Sequence, residues 1–401
     1  MLISSNVDVL TGLLEEFRPC FSKPQFRNFS AYTLGLITCE GKKNIDAINR
    51  CFLDAKDQSS LNRFLTHSPW NLQKLEDRRL SLAKAYLPLK GSSTGTLIID
   101  DTINRKTGKH MEEAGYHFDS AEGKPVWGHD IVTTHYVNGE TEYPVRLSLY
   151  VKKETCRKEQ RVFKTKIQLA VEQINVFTPP AITKVVVAFD SWFFCRQIVE
   201  AVAARGWDWV TQAESNRIVH FEGEELNVTE LAKRLSKEQF KTVKIKGEAF
   251  KLCGLLVWMQ KVGDVMLVIA KEEEGDNFHF YVSNKVDWST KQVLLAYKVR
   301  QSIDVFYRDA KQNLGLEAYQ MRRGRGAIIH WHLAFNAYTL LALLRRSLCV
   351  VGSGILRRAL ETLGDVCRYV KDQCFRRLVD WIYQKFKHQA KPETIYRQLK
   401  I

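Results

Sequence analysis

No Cys-x-x-Cys spacing occurs in these 401 residues, and the nine cysteines (20, 39, 51, 156, 195, 253, 349, 367 and 374) do not cluster with histidines at zinc-finger intervals. That excludes the common structural zinc modules, and an odd cysteine count argues against a disulfide framework. Buried free thiols in a reducing compartment are the reading that fits. Long apolar runs are also missing. The longest weakly polar stretch, Trp331 to Leu344, has 14 residues and includes His332 and Asn336, too short and too polar to span a bilayer. The first residues, Met1 to Asp8, carry neither a basic segment nor an apolar one behind it, so no signal peptide is expected and the chain is expected in the cytoplasm. Internal repeats and low-complexity tracts are absent. Gly352-Ser-Gly354 lacks the Lys-Ser or Lys-Thr that would follow in a phosphate loop. Acid is scarce too: 45 Asp and Glu face 60 Lys and Arg, a net charge of +15. Such a balance suits a protein that meets a polyanion, with nucleic acid the first suspect.

What is present is a globular composition: 45% hydrophobic, 11% aromatic and 26% charged residues, which excludes disordered, collagen-like and coiled-coil chains. The length calls for an elaborated core or two to three units. Charge is uneven. From Tyr297 to Ile401 there are 20 Lys or Arg against 8 Asp or Glu, so this quarter carries +12 of the +15.

Residues 1–90 read as a helical domain, with apolar positions three and four apart in Val7, Leu10, Leu13, Leu14 and Phe17 and a second series through Leu72, Leu75, Leu82, Ala85 and Tyr86. Gly91-Ser-Ser-Thr-Gly95 reads as a joint. Behind it, Thr96–Asp101, 129–137 and 143–151 read as strands, the last two joined around Asn138-Gly139 after a long polar loop. A helix is expected over Arg161–Phe177, a buried strand over Lys184–Phe189, a helix over Phe194–Arg205 closed by Gly206, and a strand over Trp207–Thr211. The region 91–214 is therefore β-β-β-α-β-α-β. Residues 215–288 read as a β-rich insertion with one helical stretch near Leu231–Leu235, residues 289–345 as a continuation of the core, and 346–401 as a basic helical region. One long helix is expected from Ser289 onward, with Asp287 or Ser289 as its N-cap.

Two buried strands end in aspartate, at Asp100-Asp101 and at Asp190. Alone, each reads first as a turn or N-cap residue. At the carboxyl ends of adjacent parallel strands, however, they converge on one site. On the expected helix, Val299, Ile303, Phe306, Ala310 and Leu314 form a core stripe. Tyr297, Arg300, Asp304 and Lys311 fall within about 60° of one another on a second stripe. That stripe is equally a solvated face with salt bridges from Asp304 to Arg300 or Arg308, and only the strand-end aspartates give it further meaning.

The spacing Tyr-x2-Arg-x3-acid-x6-Lys, behind two strand-end aspartates and a β-rich insertion, resembles the cut-and-paste insertion-sequence transposases with an RNase H-like core. The phrases Asp100-Asp101-Thr102, Phe306 to Gly315 and Leu61 to Trp70 are similar to the same family, and the likeness covers nearly the whole chain. It implies an α/β fold: an RNase H-like mixed sheet flanked by helices, with the β-rich insertion and the helical N-terminal domain. The family has Glu where this chain has Asp304. Aspartate is one methylene shorter and still ligates a hard cation if the helix sits closer, and the Tyr, Arg and Lys around it are intact.

The resemblance assigns Asp100, Asp190 and Asp304 as catalytic metal ligands, Asp100 because RNase H-like first strands read Asp-x-Thr or Asp-x-Ser, with Asp101 as the alternative. Oxygen ligands without Cys or His favour Mg²⁺ or Mn²⁺, two ions per site. Tyr297, Arg300 and Lys311 are expected to grip phosphates. Arg322-Arg323-Gly-Arg325 reads as a flexible basic loop suited to phosphate contact, with Arg63 and Lys74 as N-terminal contacts. Trp192 and Trp288 are candidates for stacking an extruded base, although core packing is expected of both. His129-Asp130 and His330-x-His332 lack the partners of a metal site and read as structural. The implied partners are double-stranded DNA, at element ends and target, and a second copy in the DNA complex. Two other readings stand beside this one: a structure-specific RNase H-like nuclease without strand transfer, and an inactive DNA-binding derivative.

Overall fold

The computed structural model describes residues 8–53, 57–86, 94–139, 141–180, 184–245, 247–271, 277–351 and 360–399. Most of the 91–95 joint, Gly352-Ser-Gly354 and Val7 lie outside them. The chain divides into two compact units: unit 1 comprises Met1–Pro88, Ile103–His129 and Phe306–Ile401, and unit 2 comprises Leu89–Thr102 and Asp130–Val305.

Five helices lead: α1 (Asp8–Glu15), α2 (Lys23–Thr38), α3 (Ile45–Arg50), α4 (Gln58–Thr66) and α5 (Leu72–Tyr86). The apolar spacing read from the sequence turns inward, with Leu10, Phe17, Leu75 and Leu82 buried. Strands β1 (Thr94–Arg105), β2 (Gly115–Asp119), β3 (Lys124–Asn138) and β4 (Thr141–Tyr150) come after them. The expected long polar loop thus holds an extra strand: β2 pairs antiparallel with the start of β3, from Gly115↔Gly128 to Asp119↔Lys124. Its alternation of exposed Tyr116 and Phe118 with buried His117 is too short and too polar a signal to separate from loop.

Helices α6 (Lys153–Lys158) and α7 (Lys166–Val176) come next, then β5 (Lys184–Phe189), α8 (Arg196–Ala204) and β6 (Asp208–Ala213). The expected 161–177 helix begins five residues late because Thr165 caps it, its hydroxyl accepting from the Gln168 N–H at 3.1 Å. The insertion is β7 (Ile218–Phe221), β8 (Glu224–Asn227), α9 (Val228–Arg234), β9 (Lys241–Ile245), β10 (Glu248–Met259), β11 (Gly263–Lys271) and β12 (Phe278–Ser283). The chain ends with α10 (Thr290–Lys298), α11 (Gln301–Leu314), α12 (Gly324–Val351), α13 (Leu363–Lys387) and α14 (Pro392–Leu399).

One mixed 12-stranded sheet orders the strands β2-β3-β1-β5-β6-β12-β11-β10-β7-β8, with β4 on β3 and β9 on β10. Strands β1, β5 and β6 run parallel, and the insertion joins antiparallel through β12 on β6. The insertion therefore lengthens the core sheet. Helices pack against this mixed sheet, α8 and α10 on β6 and α7 on β4. Val185 to Phe189 are all buried, as befits a parallel strand covered on both faces. Gly95 is obligatory where it stands: a Cβ there would lie 1.9 Å from the Tyr136 hydroxyl.

In unit 1, α12 is the central element, packed by α1, α2, α4, α5 and α13. The apolar run is longer than the sequence suggested. Gly324–Cys349 has the length and hydropathy to cross a membrane, yet 83% of its most apolar window is buried within the structure. His330, Asn336 and Thr339 along it are buried as well, so the helix is the core of a helical unit.

Candidate active site

The parallel register Ile98↔Ala188 and Ile99↔Phe189 brings Asp100 and Asp190 to neighbouring places just beyond the last paired residues; β5 ends there as expected, but β1 does not end in aspartate and runs on to Arg105, pairing with β3. Adjacent strands lie about 4.8 Å apart, so the two carboxylates share one edge of unit 2. Asp190 begins a tight turn, its Oδ1 accepting from the Phe193 N–H at 3.1 Å. The strand-end aspartate is thus a cap as well as a candidate ligand.

Arg300 completes the cluster. Its Nη1 donates to Asp100 Oδ2 at 2.7 Å, and its Nη2 lies 4.0 Å from Asp304 Oδ2. The helix that supplies these residues is not continuous. Ser289 caps α10 as expected, but hydrogen bonds from Arg300 N–H to the Tyr297 carbonyl and from Ile303 N–H to the Arg300 carbonyl tighten the chain into a three-residue turn before α11. Wheel positions counted across that turn shift. Arg300 points to the strand ends, whereas the Asp304 side chain is 56% exposed. The Tyr297 hydroxyl donates to Gln212 Oε1 on β6 at 3.1 Å, and its ring packs on Tyr281.

Burial raises the Asp100 carboxyl to about 6, with the Arg300 charge pulling down and Asp190 and Asp304 pushing up. Asp190 is raised by burial as well, opposed by the backbone N–H of Phe193. Burial also disfavours the Arg300 charge, but Asp100, Tyr297 and Asp304 outweigh it and hold the guanidinium above its ordinary value. This desolvated edge carries more negative charge than one guanidinium settles. The donors are hard oxygens, so the chemistry fits a divalent cation of the magnesium kind. Among the described residues no three His, Cys, Asp or Glu side chains converge as a closed cage, because Asp304 stands off from the other two.

Asp101 faces elsewhere. Lys166, at the start of α7, binds it at 2.8 Å and Asp130 on β3 at 2.5 Å. Burial and the Asp130 charge raise the Asp101 carboxyl, against the pull of Lys166. Sequence reasoning weighed Asp130 only beside His129, as a structural residue, and missed Lys166 and the pair they form. The signals were a lone charge inside the apolar run around Ile131 and a lysine opposing the helix dipole in a first turn. His129, as expected, is structural: buried, it bonds the Tyr319 hydroxyl at 2.7 Å and the Glu112 carbonyl at 2.8 Å. His330 bonds Tyr32 at 2.8 Å and the Gly315 carbonyl at 2.9 Å.

Core packing does not hold for Trp192, which is 54% exposed with the Lys166 ammonium 5.3 Å from its ring, and Trp288 is half-buried. Lys311 belongs to unit 1, where its ammonium donates to the Ile103 carbonyl at 3.2 Å. The basic loop is shorter than read: α12 starts at Gly324, so Arg325 is helical and donates to the Ser68 carbonyl at 2.8 Å.

A mixed sheet flanked by helices, with neighbouring acids on adjacent parallel strands, agrees with the fold of the DDE superfamily endonucleases. The family of that description matches residues 16–237, more than half of the chain, and the chain belongs to it. The match contains Asp100 and Asp190 and ends before Asp304. The chain is also similar to a protein of Microchaete diplosiphon described as a probable transposase for insertion sequence element IS701, 29% identical over 150 residues. Those residues are 37% of this chain and 38% of that protein, so the likeness spans well under two thirds of the relative.

Proposed function

We propose that the chain is an insertion-sequence transposase that cleaves the ends of its element and joins them to target DNA. The observation that carries this reading is the placement of Asp100 and Asp190 side by side in register, with Arg300 on Asp100. Membership of the endonuclease family and the similarity to a probable transposase support it.

Asp100, Asp190 and Asp304 would hold two Mg²⁺ or Mn²⁺ ions, which when bound activate a water or 3′-hydroxyl and stabilise the leaving oxygen. Asp100 takes the ligand role over Asp101, whose carboxylate is committed to Lys166. Arg300 holds Asp100 until substrate arrives and then presents a planar guanidinium to a phosphate oxygen. Tyr297, on α10 and held by Gln212 of β6, offers a second contact, and Lys311, in unit 1, takes a phosphate of the same DNA as a point charge. Double-stranded DNA is the substrate, bound by a homodimer.

Asp100→Asn and Asp190→Asn should each abolish cleavage of end-sequence duplex in Mg²⁺ or Mn²⁺ while leaving DNA affinity within about twofold, because phosphate contacts elsewhere position the duplex. Strand cutting and gel-shift affinity, measured on the same preparations, check this. Full cutting by either variant defeats the assignment, and cutting without joining would make the protein a nuclease.

A further inference from the structure

Unit 1 contains a polar cleft of about 510 Å³ that neither the carboxylates nor the family match explains. One wall is α4, where Gln58 and Asn62 are exposed one turn apart and His67 stands at the end. The other is the turn Gln320–Arg323 ahead of α12. Asn44, the N-cap of α3, also lines the cleft and holds the turn by donating its Nδ2 to Gln320 Oε1 at 3.2 Å.

Both walls are fixed before anything binds. The Trp70 indole N–H donates to the Phe64 carbonyl at 3.0 Å and its ring stacks on Phe64 at 5.3 Å, which fastens the end of α4. Gly326 lets α12 approach closely, since a Cβ there would lie 3.1 Å from Thr66 Cγ2 and 2.9 Å from Met321 Sδ. On the far wall the Arg322 carbonyl accepts from the Glu112 N–H at 2.8 Å, and the Gly324 N–H donates to Glu112 Oε2 at 3.0 Å. The turn that carries the arginines is therefore clamped.

The functional groups left over suit one ligand class. Arg322 and Arg323 are exposed, and among the described residues neither guanidinium has a hydrogen bond or ion pair. The acid in the cleft, Asp46, is matched by Arg50 at 2.9 Å. Free carboxamides offer a donor and an acceptor together, the pattern that reads the adenine edge, while free guanidinium groups take phosphate or guanine. With its side chains a helix is about 10–12 Å across, which suits a major groove about 12 Å wide.

We propose that this cleft reads the sequence of duplex DNA, with Gln58 and Asn62 at base edges and Arg322 and Arg323 on the flanking phosphates. The proposal deepens the transposase reading and rests on it, for it names where an element end is recognised. It also separates Arg325, which holds a wall, from the two arginines that touch DNA.

The test is selection from a pool of duplexes with a randomised centre, using the full chain and its variants. Wild type should enrich one motif. Gln58→Ala and Asn62→Ala should each relax that motif at one or two positions and cut discrimination about tenfold or more. The double variant Arg322→Ala/Arg323→Ala should weaken binding to all sequences and keep the motif. Unchanged melting temperatures are expected, since all four side chains are exposed. If both amide variants enrich the wild-type motif at full discrimination, the cleft is not the reading site. If wild type enriches no motif at all, the transposase reading falls with it.

Discussion

On a strand, consecutive side chains point to opposite faces, and Asp100 and Asp101 use both: one meets Arg300 at 2.7 Å, the other Lys166 at 2.8 Å. The sequence offered two adjacent acids and a family preference for the first. The face each occupies needed the partners, which come from 65 and 200 residues away. Asp304 is the position where length matters. Its carboxylate is 4.0 Å from Arg300 and mostly exposed, so one more methylene would bring it toward Asp100 and Asp190. Asp304→Glu should therefore retain or raise cleavage, whereas Asp304→Asn should eliminate it. Single-turnover cutting at saturating Mg²⁺ distinguishes them, and normal rates for the Asn variant would place the third ligand elsewhere.

At the scale of elements, α5 and α12 are joined by a buried charge cluster. Arg79 binds Glu76 at 2.5 Å within α5, and His332 of α12 approaches Glu76 at 3.1 Å. Burial works against the Glu76 carboxylate, but Arg79 and His332 outweigh it and hold the group down at about 2. The unfolded chain binds that proton near 4.5, so the stabilisation is present above that pH and is lost as pH falls toward 2. A shift of that size corresponds to about 3 kcal/mol. Glu76→Gln should flatten the decline of melting temperature between about pH 5 and pH 2, by comparison with wild type. Elements set by local chemistry were legible in the sequence: β5 from its apolar run, α7 from Thr165 once the cap is recognised, and the start of α10 from Ser289. The division between α10 and α11 was not, because a turn of i to i+3 bonds keeps the apolar period nearly intact while rotating the side chains of α11 about the helix axis. The strand β2 was hidden because its five residues alternate too briefly and with too much polarity to stand out from loop, and the Asp130–Lys166 pair because its partners are 36 residues apart in sequence.

For the whole molecule the decisive property is charge. The last quarter of the chain holds +12 of the +15, and α13 displays Arg376 and Lys387 on its exposed face. If these meet phosphates, Arg376→Ala and Lys387→Ala should each make log K against log salt shallower by about 0.9 on duplex DNA, without altering sequence preference. Binding titrations at several salt concentrations measure that slope directly, and unchanged slopes would move the contacts off α13.

The antiparallel joint between β6 and β12 has a consequence for how the protein keeps itself from aggregating. A sheet that stopped at β6 would present a row of unpaired amide and carbonyl groups beside β5, a template on which any other strand could polymerise. Phe280 to Ser283 occupy that row through Ala213 to Val210. The free border is thereby carried outward to β8 and β9, four and five residues long and bearing exposed Glu224, Glu225, Lys241 and Lys244, which are too short and too charged to recruit a neighbour. Whatever else the insertion does, it leaves the core sheet with its most adhesive edge already sealed.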